Sequence, residues 1–322
     1  MQRLEASRPL DLTGRVVLVT GGAGDIGSAI AAQAARHGAT VIIADNGTSV
    51  TGIGDDPNRA VGAAGRLAAE YGSVVGYHCD LTDRHQVEAM FESLLTTHGT
   101  VDAVVAAAAT VRVRPVWELS SADWRNVFDA HATHTYLVAR AACRHWRTTA
   151  AARSGSSRSL VTLTAATGLV GRPDLGVAHS AAKGALVGMT LELAHEMYPY
   201  GVSVNAVAEA NVRGRVAAHV GAQLPVAKDT FDACSPDHVG MLAAYLASGD
   251  APFITGQVLR VVGGMIGRYR GWRETDSLVP DGSWTIDTVR LGVLRLFDVY
   301  PRFMAPQGRQ CDPFGPSLPT PA

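Results

Sequence analysis

The chain runs to 322 residues, enough for one large α/β domain or two small ones, and 47% of them are apolar, too many for a disordered segment. Lys and Arg total 28 against 29 Asp and Glu, a net charge of −1, so nothing in the balance points to nucleic acid or a membrane surface as partner. Four cysteines (Cys79, Cys143, Cys234, Cys311) stand far apart with no CxxC pair, against a zinc ribbon or a disulfide scaffold. With a polar opening segment and no apolar run near the roughly 20 residues of a membrane span, the expectation is a cytoplasmic globular protein.

In chain order, Arg15–Thr20 (RVVLVT) reads as a buried strand, Ile26–His37 as a helix and Thr40–Ala44 as a second strand. Val74–His78, Val101–Ala106, Ser159–Leu163, Ser203–Val207 and Val258–Val262 continue the strands, about seven in all. Helical periods lie between them at Ala60–Tyr71, Arg84–His98, Ser121–Trp146, Val177–Tyr198 and Pro236–Ala247. Strands apolar on both faces and separated by helices predict an α/β protein with a doubly wound parallel sheet. Residues 151–158 (AARSGSSR) read as a polar surface loop.

After Gly264 the pattern weakens. Thr285–Val299 predicts one more helix, with Ile286, Val289, Val293 and Phe297 at helical spacing, and the prolines from Pro301 onward exclude a regular element. The expected organisation is one domain over residues 1–268, an extension with one helix over 269–300, and a Pro-rich tail over 301–322.

The first strand runs into Thr20-Gly21-Gly22-Ala23-Gly24-Asp25-Ile26-Gly27 and then a helix. A glycine-rich strand-to-helix turn lets the backbone approach a pyrophosphate on the free N–H groups of the helix N-terminus, and Gly27 lets that helix pack closely on the sheet. Asp45 ends the second strand, where a carboxylate accepts ribose hydroxyls and repels a 2′-phosphate, so NAD is preferred over NADP or no cofactor.

Thr20–Gly27, Asp80-Leu81 after the third strand and the helix containing Lys183 resemble the short-chain dehydrogenase/reductase family, from about Leu12 to Gly264. The loop Asp45–Asn58 and the Arg270-Gly271-Trp272 … Asp281-Gly282-Ser283-Trp284-Thr285 extension more loosely resemble bacterial and peroxisomal 3-hydroxyacyl-CoA dehydrogenases. The resemblance implies a Rossmann-type fold, a small-molecule substrate and a dimer or tetramer formed through the helices at Ser121–Trp146 and Val177–Tyr198. It also places Asp80 near adenine, helix capping being the other reading of that residue. Where the family turn has glycine this chain has Asp25, whose carboxylate opposes a pyrophosphate unless it turns away.

The family's Tyr-x-x-x-Lys window reads His179-Ser180-Ala181-Ala182-Lys183, so the matched lysine is present and the tyrosine position holds histidine. The serine position is Ala165, flanked by Thr164 and Thr167; the asparagine position is His131; the Asn-Asn-Ala-Gly turn is Ala106–Ala109; and the Pro-Gly pair is Glu209-Ala210. Two readings follow. Either His179 works as acid or base beside Lys183 with His131 approaching from the next helix, its neighbouring ammonium keeping the imidazole neutral, in an atypical dehydrogenase or a non-redox proton-transfer enzyme on a ketone, alcohol or acyl-thioester; or the site is silent and the chain serves as partner subunit to an active homologue. His131 and His134 stand at i, i+3, but no carboxylate or cysteine completes a metal set, so no metal is expected.

Overall fold

The sheet is built from β1 (Val16–Thr20), β2 (Thr40–Asp45), β3 (Val74–His78), β4 (Ala103–Ala106), β5 (Arg158–Ala165), β6 (Val202–Glu209), β7 (Gln257–Val262) and β8 (Met265–Tyr269). In this computed structural model the described residues are 9–150, 157–171, 175–225, 231–271, 277 and 283–296. The strands lie in the order β3-β2-β1-β4-β5-β6-β7-β8, parallel throughout except for the β7–β8 pair. The Rossmann-type, doubly wound α/β fold is therefore present.

Alternate strand residues fill two apolar layers because both faces are covered. Val17, Val19, Val41, Ile43 and Val105 pack under α1 (Asp25–Arg36), α2 (Pro57–Tyr71) and α9 (Asp237–Ala247). Val16, Leu18, Ile42, Val104 and Leu160 face α3 (Arg84–His98), α5 (His134–Thr149) and α7 (Gly176–Met197). From β1 the chain winds outward to β2 and β3, then crosses back to β4 and winds the other way. The reversal opens a crevice beyond the carboxyl ends of β1 and β4, which is where sheets of this type bind ligands.

Three features depart from the sequence expectation. An eighth, antiparallel strand follows β7 through Gly263-Gly264, both at positive φ (57° and 76°), the two-residue turn that suits a hairpin. Its exposed Met265 and Ile266 give it no buried apolar run to read. The helix expected over Ser121–Trp146 is broken into α4 (Ser121–Phe128), a π turn (Asp129–Thr133) and α5. There the Thr135 hydroxyl donates to the His131 carbonyl (2.7 Å) and the His134 ring bonds the Ala130 carbonyl (2.8 Å), side-chain bonds that compete with the regular backbone ladder. Short helices α6 (Thr167–Val170) and α8 (Arg215–His219) follow β5 and β6.

The chain divides into two compact units, Met1–Tyr269 and Arg270–Ala322. The second holds α10 (Ile286–Leu296), whose start is tied by Thr285 and Thr288, each side chain accepting the other's backbone N–H. Residues 151–156 of the polar loop, Trp272, Asp281-Gly282, residues 297–299 of the expected helix, the Pro-rich tail and Cys311 lie outside the described residues.

Candidate active site

A cavity of about 630 Å³ runs from the glycine-rich turn to the start of α7, within the range of small-molecule sites. At its glycine-rich end the backbone is packed to its limit. A Cβ on Gly21 would lie 2.5 Å from the Cα of Ala108, and one on Gly27 would lie 2.2 Å from the Gly21 carbonyl oxygen. Only glycine permits this cradle, and Gly24 caps α1 with no side-chain capping hydrogen bond. Gly21, Gly24, Asp25, Ile26 and Gly27 all line the cavity.

Thr20 does not reach the cavity wall directly. It is fully buried beneath the turn, where its hydroxyl accepts the Ala107 N–H (3.1 Å) and lies 3.2 Å from His134 Nε2. Because His134 Nδ1 faces a carbonyl acceptor, Nδ1 carries the proton and Nε2 accepts from Thr20. Burial lowers the His134 pKa to about 4, so the ring stays neutral and this network holds the Ala106–Ala109 turn against β1. His134 is a site residue that the spacing argument weighed only as a metal ligand.

Asp45 sits at the carboxyl end of β2 with one oxygen accepting the Ala23 N–H (3.1 Å) and the other the Gly47 N–H (2.8 Å). The carboxylate is thereby fixed against the turn and still lines the cavity. The loop over residues 46–56 makes the adjoining wall: Val50 accepts the Val111 N–H (2.9 Å), and His78 Nε2 lies 2.6 Å from Asp55 Oδ1. Asp80 lines the same end and turns its carboxylate onto Thr82 (2.8 and 2.9 Å), while Asp83, not Asp80, caps α3. Leu81 is buried beside it. The cradle, the free helix terminus and the carboxylate on β2 suit a dinucleotide.

Asp25 neither caps α1 nor points at the open turn. Its Oδ2 accepts the backbone N–H of Arg215 (2.8 Å) and lies 3.5 Å from Arg215 Nε, so the opposing charge expected from the sequence is met by a cation.

At the far end, His179 and Lys183 share one face of α7, each 4% exposed. The Lys183 ammonium donates to the Leu163 carbonyl (2.6 Å). Burial pulls its pKa down to about 8, with Glu209 at the end of β6 opposing the shift. Glu209, beside Ala165 in the sheet register, has its own pKa raised by burial against the pull of Lys183. The His179 pKa falls to about 3, first through burial and then through Lys183, so its ring is a neutral imidazole. Neither of its ring nitrogens has a hydrogen-bond partner among the described residues.

His131 meets His179 edge to face with ring centroids 5.2 Å apart. It is fully buried, its Nε2 lies 2.8 Å from the Thr110 carbonyl, and it does not line the cavity itself. Its pKa is held well below the ordinary value by burial and by Lys183 and His179. Of the two flanking threonines, Thr164 spends its hydroxyl on the Lys183 backbone carbonyl (2.7 Å). Thr167 lines the cavity with its Oγ1 unpartnered among the described residues. No group of His, Cys, Asp or Glu among the described residues is arranged to hold a metal ion.

A family model described as enoyl-(acyl carrier protein) reductase matches residues 21–266, and the hydroxyacyl-CoA dehydrogenase ChsB1 of Mycobacterium tuberculosis is 32% identical over 256 residues, covering 79% of this chain and 78% of that one. This chain belongs to the short-chain dehydrogenase/reductase family. Peroxisomal multifunctional enzyme type 2 of Mus musculus is 31% identical over 268 residues, 83% of this chain but 34% of that much longer one. A short-chain dehydrogenase from Mycobacterium avium superposes with a TM-score of 0.77 at 29% identity, covering 89% of this chain and 95% of the other. No helix among the described residues of this chain is long and apolar enough to cross a membrane.

Proposed function

We propose that the protein is an NAD-dependent, dehydrogenase-like enzyme acting on an alcohol, ketone or acyl-thioester substrate, with His179 in place of the family's proton-transferring tyrosine. The observation that carries this reading is the set of buried polar atoms left open in one cavity: both ring nitrogens of His179 and Oγ1 of Thr167. Each such atom costs about 1–3 kcal/mol unless something pairs with it, and a substrate oxygen is a suitable partner for one His179 nitrogen and for Thr167 Oγ1. ChsB1, by its name, acts on hydroxyacyl-CoA, which supports a thioester of that class.

Bound NAD would supply the hydride acceptor. The chain then has three tasks. Asp45 selects NAD by repelling a 2′-phosphate. Lys183, already drawn into the cavity wall, holds the cofactor ribose. His179, neutral at working pH, accepts the substrate hydroxyl proton while the Thr167 hydroxyl donates to the same oxygen. A neutral ring with an open lone pair favours alcohol oxidation over carbonyl reduction. The setting is cytoplasmic, where Cys79, Cys143 and Cys234 remain thiols.

The test is NADH formation with a panel of 3-hydroxyacyl-CoA thioesters and secondary alcohols, for the parent and His179→Ala. The expected loss is about 10²–10⁴-fold in turnover with unchanged NAD affinity, and tighter binding of NAD than NADP in calorimetry. An undiminished rate in His179→Ala removes that residue from the chemistry.

One observation favours a second reading, a silent subunit paired with an active homologue. A ring whose pKa is about 3 is a weak base, and Ala165, Ala166 and the Ala106–Ala109 turn add no side-chain donor. In that case the protein co-purifies with a short-chain dehydrogenase that retains Ser, Tyr and Lys, through the surface like folds use for homo-oligomers.

A further inference from the structure

The chain leaving β6 returns to the glycine-rich turn, 190 residues away in sequence, and fastens there. Gly214 makes the approach possible, since a Cβ at that position would lie 2.8 Å from Cγ of Asp25. The next residue, Arg215, gives its backbone N–H to Asp25 Oδ2 at 2.8 Å and brings its Nε to 3.5 Å from the same oxygen. Its guanidinium continues over the turn, where a Cβ placed on Gly24 would lie 3.2 Å from one terminal nitrogen. Gly24 is the N-cap of the twelve-residue helix α1, so a cation from a remote segment overhangs the free N–H groups of that helix. Asp25 and Arg215 both line the cavity.

A positive helix terminus does not by itself recruit a second positive charge. The carboxylate of Asp25 explains why the guanidinium rests there without an anion, and the planar fork of arginine is the side chain best matched to a pair of phosphate oxygens. We infer that Arg215 is a pyrophosphate ligand of the dinucleotide site and that Asp25 is its positioning residue, holding the fork over the turn before the anion arrives. The anion then binds between two donors, the α1 terminus below and Arg215 above. The inference rests on the dinucleotide reading above.

The experiment titrates the purified full chain, its Arg215→Gln variant and its Arg215→Lys variant with ADP-ribose and with NAD by calorimetry, at low and high salt. Arg215→Gln is expected to weaken both ligands by about ten-fold or more and to flatten the salt dependence of affinity, with an unchanged thermal midpoint in the absence of ligand. Arg215→Lys keeps the charge but not the fork, and its affinity falls between the two; it also supplies the comparison if the glutamine variant does not fold. If the parent binds ADP-ribose and both variants bind it within two-fold of the parent, the inference fails and the dinucleotide reading stands. If the parent binds neither ligand, both fail together.

Discussion

Lowering the pH from about 7.5 to about 5 charges every histidine of the unfolded chain while leaving three folded ones neutral. His131, His134 and His179 are buried, and burial is the first cause of each depressed pKa: about 4 for His134, about 3 for His179, and well below the ordinary value for His131. Between the folded values and the unfolded value near 6.5 the unfolded state binds more protons, so stability is fully present above about pH 6.5 and is lost as the pH falls. At about pH 5 His134 and His179 each sit ~1.5 units below the unfolded histidine pKa, which is ~2 kcal/mol apiece and ~4 kcal/mol together, and His131 acts in the same direction. A domain with a total of about 5–15 kcal/mol loses a large share of its stability there. Urea unfolding followed by far-UV circular dichroism at a series of pH values measures the effect. The midpoint should fall steeply below about pH 6.5, and His179→Leu should make that fall shallower. Equal urea midpoints at the two ends of the series would refute the reasoning, because the rings would then be accessible to protons in the folded state.

Two substitutions test the packing that positions the site. Gly27→Ala places a Cβ 2.2 Å from the Gly21 carbonyl oxygen, so α1 must move off the turn; we expect a loss of about 2 kcal/mol or more in urea unfolding together with loss of dinucleotide affinity in calorimetry. Trp146→Phe removes the indole N–H that donates to the Val101 carbonyl at 2.7 Å inside the core, and the stranded acceptor should cost about 1–3 kcal/mol with cofactor affinity unchanged.

The glycine turn and the carboxylate at the end of β2 were readable from residues alone because they are local. Gly21, Gly24 and Gly27 lie within one turn and its helix, and Asp45 closes the very next strand. The hairpin to β8 also carried a local sign, Gly263-Gly264, but the strand beyond it is an exposed edge whose side chains follow no buried pattern. The π turn at Asp129–Thr133 had no such sign, since the helical period continues across it and only the bonds of Thr135 and His134 to backbone carbonyls reveal the break. Arg215 was invisible for a different reason: its partner Asp25 is contributed by the first helix, and no periodicity links the two.

Local neighbours in the chain thus carry the seven parallel strands and their main helices, the glycine cradle, the carboxylate on β2 and the His179–Lys183 spacing on one helix face. Each follows from neighbours in the chain, through backbone freedom, side-chain period or the i, i+4 geometry of a helix. Which polar groups remain open and which are spent depends on packing between elements far apart in the chain. Thr164 is consumed by the Lys183 carbonyl while Thr167 is left facing the cavity, and Thr20 is drawn beneath the turn to His134. That packing also decides the protonation of the site, because the depressed pKa values of His131, His134 and His179 come from burial, and burial exists only once β1, β4, β5 and the π turn have closed around them.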